Sequence, residues 1–158
     1  MSEETPRSEY PFTYSPASEI PEKQVKMVHD LTSLLLDGEH PTLEILRTQL
    51  AESTVTRLEW TGAGFFADFL IPETLPLSEP GDLTGGHVFL AVEGLPHGAG
   101  CVLFVRDGML DMLEGYKYGD GEWAEDAEIL NIADVEPILS TPDSDAQRGK
   151  PTGDSSGE

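Results

Sequence analysis

The sequence predicts an α+β fold: two N-terminal helices packed on an antiparallel sheet of about five to seven strands, with disordered termini. Three observations carry this. Apolar residues recur at helical spacing between Val25 and Ala51. From Thr54 onward they alternate instead, in short runs separated by glycine. Asp107-Gly108 then stands between two alternating runs, a pair that tolerates the positive φ of a tight hairpin turn.

The first helix is expected over Val25–Leu36, with Val28, Leu31 and Leu35 on its inner face and Gly38 as its stop. The second is expected over Pro41–Ala51, because proline suits a first helical turn and Leu43, Leu46 and Leu50 share one face. In TVTRLEWT, Val55 falls on one face and Leu58 and Trp60 on the other. Gly62-Ala63-Gly64 turns the chain into FFADFLI, whose only interruption is Asp68, as in a central strand. Residues 72–87 are rich in proline and glycine and read as a long loop.

His87 to Trp123 reads as three consecutive antiparallel strands. Val88, Leu90 and Val92 alternate, then Cys101, Leu103 and Val105, then Leu110 and Met112, with LPHGA as the loop between the first two runs. A two-residue turn at Asp107-Gly108 sets Arg106 opposite Met109, Leu103 opposite Met112 and Cys101 opposite Glu114. Matching apolar faces sets Leu90 near Leu103 and Val92 near Cys101. Glu114 then lies on the apolar face and Glu93 on the other, so they cannot form the carboxylate pair of a glycosidase. A last strand is expected near Ala127–Ile132.

The chain has 158 residues and a net charge of −21. One domain over 25–139 accounts for the length, between a flexible acidic arm over 1–24 and a disordered polar tail over 140–158. The arm carries −3 and the tail −2, which leaves −16 on the domain itself. Such a surface repels nucleic acid and anionic membranes and favours a basic protein. Neither a membrane-length apolar run nor a leader is present, and the single cysteine rules out an internal disulfide. Cytoplasm is the expected compartment.

No catalytic or cofactor motif emerges, and no cofactor is expected. Cys101 sits among apolar residues, where a buried inert thiol is the usual state. His29, His40, His87 and His97 lack the spacing of a zinc site. The acids from Asp120 to Glu128 lack the alternating ligands and fixed glycine of a calcium loop and read as a solvated face. The best candidate binding residues are His97, Glu114, Tyr116, Tyr118 and Trp123, gathered at the sheet rim.

Thr61, Gly62, Gly64, Phe65 and Phe66 form a TG-x-GFF element. Gly94, Leu95 and His97 to Gly100 form GL-x-HGAG, and Leu113 to Gly119 form LEG-aromatic-x-YG. The stretch Leu46–Trp123 resembles a set of small bacterial proteins that share these elements and have no established activity, so no residue role carries over. In size and acidity that set is similar to bacterial immunity proteins. The expected function is a non-enzymatic binding module, of inhibitor or immunity type, for a basic partner. The alternative is a small enzyme or ligand-binding domain using the rim residues. Oligomeric state is left open.

Overall fold

The computed structural model describes residues 13–14 and 20–139. Most of the expected arm and all of the expected tail lie outside these residues. Helix α1 spans Glu22–Leu35 and starts one turn earlier than the apolar spacing predicts. The Pro21 carbonyl accepts from the N–H groups of Gln24 and Val25 at 2.9 and 3.1 Å, which begins the helix without a side-chain cap. Helix α2 spans Pro41–Ala51. His40 caps it, with Nδ1 accepting from the Thr42 N–H at 3.1 Å.

Among the described residues eight strands form one antiparallel sheet: β1 (Thr13–Tyr14), β2 (Thr54–Trp60), β3 (Gly64–Leu70), β4 (Leu83–Gly85), β5 (His87–Val92), β6 (Leu95–Arg106), β7 (Met109–Lys117) and β8 (Ile129–Glu136). The order is β1-β2-β3-β7-β6-β5-β8, with β4 paired to β6 off this path. The long strand β6 organises the sheet. One of its edges pairs with β7; the other pairs with β5 near residues 95–100 and with β4 near residues 103–105.

Both helices cover one face. Val28, Leu31, Leu43 and Leu46 meet Leu58, Leu90, Cys101, Leu103 and Leu113 there, all fully or almost fully buried. Trp60, Phe65 and Trp123 pack as an aromatic trio at one end of this core, with ring centroids 5.1 to 5.9 Å apart. The ring of Phe65 lies over Gly115, where an added Cβ would come within 2.3 Å of it.

The α+β architecture agrees with the sequence, and three details differ. LPHGA is not a loop. The turn is Glu93-Gly94, and Leu95 already pairs with Val92, so His97 and Gly98 belong to β6. This sets Leu90 opposite Ala99 rather than Leu103. In the second hairpin Arg106 does face Met109, and Asp107 and Gly108 take positive φ of 53° and 80°. One residue further a bulge intervenes: Val105 pairs with Leu110, but Phe104 pairs with Met112, leaving Asp111 unmatched. Leu103 therefore meets Leu113 and Cys101 meets Gly115. Thirdly, the loop before His87 contains β4, and the last strand runs to Glu136 rather than stopping at Ile132.

Candidate functional site

The bulge decides which side chains reach solvent together. A one-residue offset moves every later residue of β7 to the opposite face. Glu114 thereby leaves the apolar face and joins the open one, paired with Val102 on β6 and Phe66 on β3. Tyr116 follows two residues on, and Tyr118 lies just past the strand end. The two tyrosine rings meet edge to face at 5.6 Å over Gly100, where an added Cβ would stand 2.6 Å from the Tyr118 hydroxyl. His97 is exposed, with its ring against Gly119. Glu114, Tyr116 and Tyr118 share one end of the open face, and His97 lies beside Gly119 just past the end of β7. Trp123 does not join them: it is buried with Trp60 and Phe65 on the helix-covered side.

The electrostatics of this face follow from partial burial. The Glu114 carboxyl is half-buried, and among the described residues it makes no ion pair or hydrogen bond. Burial pushes its pKa upward. Tyr116 is pushed up to about 12, by burial first and then by a hydrogen bond with the Tyr118 side chain. Further along the same face, Arg57 bridges Glu59 and reaches Asp68 at 3.2 Å. Cys101 is fully buried on the other side, and burial pushes its thiol up to about 12, far from a nucleophile's range.

A second feature was not expected from the sequence. A cleft of about 610 Å³ separates α1 from the segment Glu125–Ile132. Hydrogen bonds tie its two walls together at both ends of the helix. Near the start of α1, Gln24 Nε2 donates to the Glu125 carbonyl at 3.1 Å, while Gln24 Oε1 accepts from the Trp60 indole at 3.0 Å. At the far end, the Ile138 N–H donates to the Leu35 carbonyl at 2.8 Å. Met27 and Leu31 form the helix wall, and Ile129, Leu130 and Ile132 the strand wall. Asp30, Asp126 and Glu128 stand at the rim. Leu130 is 63% exposed, Ile132 43% and Val135 37%, so β8 carries three of the five large apolar side chains exposed among the described residues. The signal in the sequence was the apolar run Ile129–Ile132 beside acids, which reads equally well as an ordinary edge strand.

Among the described residues no three His, Cys, Asp or Glu side chains come together as metal ligands, and no helix is long and apolar enough to cross a membrane. The chain matches no protein-family model, no curated protein and no solved structure.

Proposed function

We propose that the protein is a binding module for a basic partner protein, of the inhibitor or immunity type. The observation that carries this reading is where the charge sits. Residues 20–139 hold 22 acids against six lysines and arginines, a balance of −16 on the folded unit itself. The stretch Asp107–Glu136 contributes ten acids and one lysine. A field of this kind accelerates encounter with a basic surface and rejects polyanions, so nucleic acid is a poor partner. The single buried thiol suits a reducing compartment and favours the cytoplasm. A pull-down from the source cell at low salt should recover a basic protein whose association slows steeply as salt rises. Recovery of no basic protein overturns the reading.

A second reading is a small-ligand or catalytic site on the open sheet face, at His97, Glu114, Tyr116 and Tyr118. It is favoured by the half-buried Glu114 carboxyl, whose hydrogen-bonding capacity the described residues leave unused. Under this reading His97→Ala abolishes binding while leaving stability nearly unchanged. Full binding by that variant with a loss of about 1 kcal/mol, the worth of one hydrogen bond, sinks it.

A further inference from the structure

We infer that the partner is engaged through its backbone: an extended basic segment, alternating apolar and cationic residues, adds as a strand to the outer edge of β8 and seats its apolar side chains in the cleft beneath α1. The inference rests on the basic-partner reading and names the surface and the mode.

Among the described residues β8 pairs only with β5 and ends the sheet order. An end strand directs alternate N–H and C=O groups outward, a template for one more strand. In β8 that template is regular over residues 131–133 and is offset by an extra residue at Leu130 and again near Asp134, whose φ is 53°. Side chains of an added strand alternate across the sheet, so every second one would point toward α1. Leu90, buried beneath the helices, pairs with Ile132, which places Ile132 on that same side. There an incoming chain meets Met27, Leu130 and Ile132, in a gap that lies between the hydrogen bonds joining either end of α1 to the neighbouring chain.

The charges select the occupant. Asp126, Glu128, Asp134 and Glu136 lie on or beside β8, and against them the helix wall sets Lys23 and Lys26, the latter already paired with Asp30 at 2.7 Å, so the balance along this edge is acidic. A second copy of the chain would bring these acids against their own kind. Residues 140–158 also fail as the occupant: they carry a net −2 and contain no Val, Ile, Leu, Met or aromatic residue. An alternating apolar and basic strand satisfies both the cleft and its rim.

The test uses the full chain and a synthetic blocked peptide of about seven residues alternating valine and lysine, the length of an ordinary strand. Two control peptides replace lysine by glutamate or carry N-methyl groups on alternate amides. The valine–lysine peptide should bind and slow amide exchange along residues 129–136. Each control should bind at least about tenfold more weakly, as should the valine–lysine peptide with Leu130→Lys. Leu130 is mostly exposed, so this variant keeps the fold. Leu130→Ile should bind like the parent. Binding that ignores N-methylation or Leu130→Lys, or that leaves β8 exchange unchanged, overturns strand addition. The same follows if the valine–lysine peptide does not bind. The broader reading fails separately: it falls when the pull-down yields no basic protein. A captured basic protein that binds Leu130→Lys at full strength removes the strand mode and leaves the basic-partner function standing.

Discussion

The thiol of Cys101 lies fully buried on β6 and is pushed up to about 12 by that burial. A thiol with a raised pKa keeps its proton in the folded state and loses it sooner in the unfolded chain. Its contribution to stability is therefore whole below the unfolded value near 9, and is lost as pH rises from there toward 12. Between about pH 8 and about pH 10.5 the native chain should lose more stability than Cys101→Ala, measured by urea midpoints. Equal losses would show that the thiol has access to water. Burial of Cys101 was legible in the sequence, because its neighbours in the alternating run are Leu103 and Val105. The roles of Gln24 and Gln49 were not. Gln49 donates from Nε2 to the carbonyls of Pro76 and Gly108 at 2.9 and 2.8 Å, and its Oε1 accepts from the Leu110 N–H at 2.9 Å. It joins α2, the loop before β4 and the β6–β7 turn, yet no local pattern distinguishes it from a surface glutamine.

The β6–β7 hairpin shows how one unpaired residue redirects an element. The Asp107-Gly108 turn was legible because its backbone requirement is local. The bulge at Asp111 was not, since alternation across Leu110, Met112 and Glu114 reads as an uninterrupted strand. The bulge hands the apolar face from Leu110 to Leu113 and Gly115, and brings Phe65 down onto Gly115. Gly115→Ala should therefore cost about 1 to 3 kcal/mol, the usual range for overpacking a filled core. Under the unbulged register Gly115 would face solvent and the same change would be nearly neutral. Chemical denaturation of this one variant distinguishes the two. The candidate site depends on the same offset: Glu114, Tyr116 and Tyr118 share the open face only because β7 changes phase.

Across the whole molecule, the 22 acids on residues 20–139 far outnumber the six bases and repel one another. Salt screens such repulsion, with a Debye length that falls from roughly 14 Å to roughly 4 Å between 0.05 and 0.5 M. The melting temperature should rise by about 3 °C or more over that range of sodium chloride, the equivalent of roughly 1 kcal/mol in a domain of this size. A flat melting temperature would mean that the acids are spread widely enough not to feel one another, and would weaken the case for a steering field. What the sequence by itself determined were the quantities that add along the chain: the charge, the helical and alternating periods, the hairpin turn, and hence two helices on an antiparallel sheet. Tertiary structure alone decided the rest. The bulge, the early turn at Glu93-Gly94, the placement of Trp123 in the core and the cleft between α1 and β8 each depend on partners distant in sequence. A periodic pattern states which residues seek burial. Only the packed molecule settles against what they are buried, and which edge is left open.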